Sequence, residues 1–141
     1  PTGLLIDNAV DLVKAKIPPF PDSLNAEALL KAQQHCFSVG LTTVDDAGLG
    51  KDSIFLIDRL QQEGKLKLRV YAMISDSKET RDYFFSKGPY KTDRLNVRAV
   101  KVYADGALGS WGACLKRSYA DQPGHYGFLL HDLAYMNDIM D

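Results

Sequence analysis

Three short apolar segments, each separated from the next by a helical pattern, most constrain how this chain can fold. They begin near residues 41, 67 and 97, so successive segments start 26 and 30 residues apart. A β-strand, a helix and their connections together take about 30 residues. Alternating strands and helices at this spacing predict an α/β fold, in which helices pack on a parallel sheet.

The boundaries of the elements follow from periodicity and from capping and turn residues. The predicted strands are 41–44, 66–74 and 97–103, with a brief extended piece at 128–130. The predicted helices are 4–14, 26–39, about 52–63, 78–87 and 131–141. We expect Asn25 to cap the second helix, and Asp52 or Ser53 to cap the third. Asp45 and Asp46 follow the first strand and are expected in a turn rather than in catalysis.

Composition and chain ends bear on partners and on completeness. The 141 residues suffice for one compact domain, with 17 basic and 18 acidic residues and a formal net charge of −1. No basic stripe indicates nucleic-acid binding, and no apolar run approaches the ~20 residues of a membrane span. We expect neither partner, a cytoplasmic location, and free thiols at Cys36 and Cys114. The chain opens on Pro1 and stops within a predicted helix, so residues 1–141 are expected to be an internal fragment.

Lys101 interrupts the apolar third strand, and two interpretations of it remain open from the residues alone. Strict alternation places Lys101 on one face with Ala99 and Tyr103. On an edge strand, its ammonium group would extend into water. In a parallel barrel, a lysine near the carboxyl end of a strand would point into the lumen, where such folds build their active sites.

The stretch 100–113 carries the most specific motif of the chain, VKVYADGALGSWGA. It resembles the strand-four signature of the YtcJ-like branch of amidohydrolase family 3. Shorter stretches match the same family in the same order, at 1–3, 40–48, 66–71 and 118–124. Trp111 stands where many relatives have Arg, which bears on the substrate class.

The resemblance implies the fold and the chemistry. It implies a partial (β/α)8 TIM-type barrel, of which this chain supplies about strands two to four with their helices in a parallel sheet. It also implies one or two divalent metals, usually zinc, and hydrolysis of an amide-type C–N bond by metal-activated water. Lys101 would be a metal ligand, bridging two metals when CO2 carboxylates it in the full-length enzyme.

The resemblance, together with the positions of single residues after the third strand and in the loops, gives the candidate site residues. Lys101 and Asp105 are the catalytic candidates, and Trp111 and His125 are the substrate-binding candidates. Asp105 could instead cap the loop that begins at Gly106. The histidines outside this set, His35 and His131, are expected to be ordinary surface or packing residues.

Much of the family's metal site lies outside this sequence. The His-x-His pattern of strand one is absent, and the later His and Asp ligands would follow residue 141. A zinc site normally takes four ligands. We therefore expect the 141-residue chain alone to bind no catalytic metal, to keep Lys101 unmodified and to be inactive.

The resemblance also indicates which partners to expect. The expected ligand is a small amide-type substrate. The rest of the barrel, or a second copy of the chain, would cover the open sheet edges. The alternative interpretation is a small open α/β binding module without catalytic activity.

Overall fold

The sheet lies in one of two units of the chain. The computed structural model describes residues 3–5 and 7–140. One unit is Phe20–Val102, and the other combines Pro1–Pro19 with Tyr103–Asp141. No helix in the described ranges is both long and apolar enough to cross a membrane.

The first unit contains the predicted parallel sheet. Its strands are β1 (Thr43–Leu49), β2 (Arg69–Ser75), β3 (Tyr90–Lys91) and β4 (Leu95–Lys101), in the spatial order β1-β2-β4-β3. β1 pairs with β2 and β2 pairs with β4 in parallel, while β3 is antiparallel to β4. The parallel α/β class is therefore confirmed. β3 was not predicted because two residues carry no periodicity.

Three helices connect or flank these strands. They are α2 (Asp22–Ser38), α3 (Lys51–Gln62) and α4 (Lys78–Lys87). The bounds of α4 are as predicted, and the Ser77 hydroxyl accepts a hydrogen bond from the backbone N–H of Thr80 at its start.

The predicted caps of α2 and α3 are wrong. α2 begins after Pro21, whose ring fixes a helix-compatible φ, so Asn25 lies inside the helix and donates to the Phe20 carbonyl at 3.3 Å. The N-cap of α3 is Gly50, two residues before Asp52 and three before Ser53. In both cases the chain enters the helix before the polar residue that was expected to cap it.

One face of the sheet packs on the helices. The buried residues of β2 alternate strictly, with Val70, Ala72 and Ile74 inside. They join a core to which α3, α4 and β4 contribute Ile54, Leu56, Ile57, Leu60, Phe84, Leu95 and Val97. Removing each large apolar side chain from water contributes about 1.5–3 kcal/mol. The odd-numbered residues of β2 therefore lie on the opposite face of the sheet, away from the helices.

β1 is longer than predicted. It runs to Leu49, so Asp45 and Asp46 lie within the strand and not in a turn. Their register partners are Tyr71 and Ala72 of β2. Pairing with the central strand outweighs the low intrinsic strand preference of Asp and Gly.

The second unit is mostly loop. A 3-10 helix at Asp7–Val10 leads into α1 (Asp11–Lys14), and α5 (Leu133–Met140) lies near the other end. The predicted helix 4–14 is thus shorter and partly 3-10, and its residue 6 lies outside the described residues. The predicted extended piece at 128–130 forms one antiparallel bridge, between Leu129 and Asp105.

Candidate functional site

The carboxyl ends of the three parallel strands meet at one edge of the sheet. β2 ends at Ser75 and β4 ends at Lys101, and these two residues are register partners. Lys101 is half-buried, and its Nζ lies 3.4 Å from the Val102 carbonyl oxygen. The structure therefore places Lys101 in a strand, at the carboxyl edge where parallel α/β folds bind ligands. Tyr103 lies beyond the strand, so alternation does not assign its face.

A β-bulge sets the direction of Lys101. Val97 is opposite Ala72 and Ala99 is opposite Met73, so Arg98 is an extra residue in β4. If Arg98 were instead paired as a regular residue, strict alternation would put Val97 on the same face as Lys101. With the bulge, Val97 and Val100 both pack toward the helix-covered core, and Lys101 occupies the opposite face with Ala99.

Gly48 leaves space beside the Lys101 side chain. Gly48 is the irregular residue of β1, with φ +124°, and a Cβ built on it would lie 3.9 Å from Cγ of Lys101. β2 separates β1 from β4 in the sheet. The stem of Lys101 therefore extends across the end of β2 toward β1.

Charged residues in the segments that follow β1 and β2 form ion pairs with one another. Lys51, the first residue of α3, bonds to Glu79 of α4, and its Nζ lies 5.8 Å from the centroid of the Tyr83 ring. The hydrogen bond to Glu79 raises the pKa of the Lys51 ammonium group, so Lys51 remains a cation. The carboxylate of Asp76 lies 3.1 Å from Nε of Arg81. Sequence analysis missed these pairs, because their members lie in different elements or at spacings without a motif.

Asp105 closes a loop in the second unit. Its Oδ2 accepts a hydrogen bond from the backbone N–H of Cys114 at 2.9 Å. The loop-capping contact, one of the two roles expected for Asp105, is therefore present. A catalytic role for Asp105 stays a prediction.

Trp111 and His125 are brought together by the fold. The Trp111 carbonyl oxygen lies 2.8 Å from Nε2 of His125, and its indole N–H donates to Oδ2 of Asp121 at 3.0 Å. Trp111 has φ 57° and ψ 22°, a left-handed conformation that costs a non-glycine residue about 1–3 kcal/mol. The contact of its carbonyl oxygen with His125 and the hydrogen bond of its indole N–H to Asp121 hold Trp111 in this conformation.

The remaining candidates have ordinary surroundings. His35 is exposed on α2, and the ring of His131 stacks on Tyr135 with centroids 4.2 Å apart. Cys36 and Cys114 are free thiols, as expected.

The described residues do not form a metal centre by themselves. Within 3–5 and 7–140, no group of three or more His, Cys, Asp or Glu side chains could hold a metal ion. Lys101 would supply one ligand where a zinc site takes about four. No catalytic step through a metal is therefore derived from this chain.

The family of the chain follows from comparison with known proteins. A parallel α/β sheet with Lys101 at its carboxyl edge is compatible with several classes of enzyme, but the sequence profile described as "Amidohydrolase family" matches residues 1–141. The chain therefore belongs to the amidohydrolase family, which confirms the resemblance seen in the stretch 100–113.

Individual relatives agree with this assignment. The chain is 34% identical over 139 residues to the amidohydrolase-family protein YtcJ of Bacillus subtilis (strain 168), covering 94% of this chain and 26% of that protein. It is 29% identical over 144 residues to the protein LONG AFTER FAR-RED 3 of Arabidopsis thaliana, covering 94% and 25%. The chain thus spans about a quarter of the length of these relatives.

Solved structures support the same conclusion. The chain matches an uncharacterized metal-dependent hydrolase from Pyrococcus horikoshii OT3 with a TM-score of 0.79 and 25% identity, covering 94% of this chain and 27% of that one. A metal-dependent hydrolase from Pyrococcus furiosus gives a TM-score of 0.78 and 26% identity, covering 94% and 28%. The fold is therefore an α/β segment of the kind found in metal-dependent hydrolases.

Proposed function

We propose that this chain forms about strands two to four of a (β/α)8 barrel whose complete protein hydrolyses an amide-type C–N bond. In this assignment β1, β2 and β4 are barrel strands two, three and four, and β3 is a short addition to the edge. The sheet face opposite the helices would line the lumen. The rest of the barrel would pair with the open edge of β1 and with the part of β4 that follows Val97, which β3 does not reach.

The position of Lys101 carries the proposal. Active sites of such barrels lie at the carboxyl ends of the strands. Lys101 is the last residue of β4, faces away from the helix-packed core and passes over Gly48, which has no side chain to block it. A lysine stem that crosses the sheet in this way would bring its terminal atoms toward the centre of a closed barrel.

The metal of the complete enzyme would be held by residues from several strands, with Lys101 as one ligand after carboxylation. When bound, a divalent metal such as zinc polarises a carbonyl group and activates water. The residues of this chain would position the reactants. The Asp105–Cys114 hydrogen bond fixes the loop that follows β4, and Trp111 and His125 would contact the small-molecule substrate.

Replacing Lys101 in the full-length protein tests the proposal. Lys101→Met keeps most of the length of the stem and removes the nitrogen that CO2 would modify. Bound metal, measured by mass spectrometry, and initial rates on N-acyl and N-formyl compounds should fall together while circular dichroism is unchanged. Lys87→Met, at the exposed end of α4, is the matched control and should retain both. Full turnover by Lys101→Met would reject Lys101 as a ligand.

A further inference from the structure

A cavity beside Trp111 lies entirely within the loops of the second unit. Its volume is about 420 Å³, within the roughly 300–1,000 Å³ range of small-molecule sites. Its lining includes the apolar or aromatic residues Leu108, Trp111, Leu115 and Tyr119 and the polar residues Ser118 and Asp121. This composition, mostly apolar with a few polar groups, is typical of sites that orient a small ligand.

Trp111 combines a strained backbone with partial exposure. It is the one non-glycine residue with positive φ in the described part of the chain, and the residue is 41% exposed. Bonds to Asp121 and His125 fix the indole plane and the backbone. Strained residues that are over-determined by their neighbours concentrate at ligand sites, and a fixed aromatic face offers a surface for stacking.

Asp121 defines the chemistry of the ligand. Its Oδ2 accepts the indole N–H at 3.0 Å, and a carboxylate can accept about four hydrogen bonds. The group therefore has capacity for a donor on a ligand, and its negative charge disfavours a ligand carboxylate.

We propose that this cavity binds a small planar apolar group that carries an N–H donor, such as an aryl amide. The ring stacks on Trp111, and the N–H donates to the Asp121 carboxylate. Binding itself needs only residues of the second unit. The assignment of the cavity as a subsite for an aryl amide substrate rests on the proposed hydrolase function.

The 141-residue chain provides its own reporter, because Trp111 is its only tryptophan. Titration with benzamide should saturate and should change both the tryptophan fluorescence and the single indole N–H resonance. Benzoate has nearly the same shape but an anionic group without a donor. Its affinity should be lower than that of benzamide by a factor of at least about ten, the effect of losing one hydrogen bond to a charged group.

Two variants distinguish the hydrogen bond to Asp121 from nonspecific binding. Asp121→Asn should reduce the preference for benzamide over benzoate to near unity, whereas Asp138→Asn, exposed on α5, should keep it. The proposal is overturned if benzamide leaves the indole resonance of the folded chain unmoved, or if benzoate binds equally well. Such a result would not affect the Lys101 test of the hydrolase function. Conversely, a failure of the Lys101 test would not affect the measurement of benzamide binding.

Discussion

Ser75 and Lys101, the last residues of β2 and β4, lie opposite each other at the carboxyl edge of the sheet. This register exists because Arg98 is bulged out of β4 between Val97 and Ala99. The bulge allows one strand to bury Val97 in the core and still present Lys101 on the opposite face. Core packing and the position of Lys101 thus both require that Arg98 is left out of the regular pairing.

Deleting Arg98 should cost much less stability than deleting Asn96, a regularly paired residue of the same strand. Without Arg98, ordinary alternation still places Val97 on the core face and Lys101 on the opposite face. Without Asn96, either Leu95 or Val97 is forced onto the wrong face, and we expect the free energy of unfolding to fall by about 2 kcal/mol or more, in the range of lost core side chains. Urea denaturation measures both deletions, and equal losses would show that Arg98 is not the extra residue of β4.

Gly127→Ala should disrupt the loop unit. Gly127 has φ +71°, and a methyl group there would overlap the carbonyl oxygen of Ala113. Gly124 has a similar φ of +86° but open space around it. Gly124→Ala should therefore cost only about 1–2 kcal/mol, the backbone penalty alone, and Gly127→Ala clearly more. Similar losses of thermal stability in the two variants would contradict the close approach.

Ser77→Ala should weaken the start of α4. The Ser77 hydroxyl accepts from the Thr80 N–H at 3.3 Å and donates to the buried Thr80 hydroxyl at 2.8 Å. Loss of an N-cap costs about 1 kcal/mol. Ser86→Ala removes a hydroxyl that bonds to the Tyr83 carbonyl on the exposed side of the same helix, and it should change stability by less than about 0.5 kcal/mol. Chemical denaturation of the two variants gives the comparison.

The sequence was informative where local signals agreed with tertiary structure. The 26- and 30-residue spacing predicted the parallel sheet, and the position of Lys101 near the end of a strand was predicted from the same pattern. β1 was cut short because Asp45 and Asp46 favour turns, and only pairing with β2 extends it. The bulge at Arg98 left no local signal, since an exposed Arg fits a regular strand equally well.

Site contacts across long loops were the least predictable. Trp111 was chosen from the resemblance and His125 from its place in a loop after Pro123 and Gly124, and their contact spans fourteen residues. The tether from Trp111 to Asp121 was missed, because an Asp ten residues away has no periodic relation to the indole. Asp105 was predicted with two roles, and its bond to Cys114 shows the one that local backbone geometry supports.

The 141-residue chain alone should not hydrolyse amides. Catalytic zinc keeps about three protein ligands and an open position for water, and this chain would contribute one. Electron density for a crystal of the chain should show an unmodified Lys101 side chain, and no N-acyl or N-formyl compound should be turned over. Turnover by preparations free of full-length enzyme would show that the chain holds a complete active site.

Anomalous X-ray diffraction from crystals of a full-length protein that contains this chain would show whether Lys101 is a metal ligand. We expect a metal peak roughly 2.0–2.2 Å from an oxygen carried on the Lys101 side chain, the usual distance from zinc to a carboxylate oxygen. A metal peak coordinated entirely by other residues, with Lys101 unmodified and outside bonding distance, would contradict this expectation.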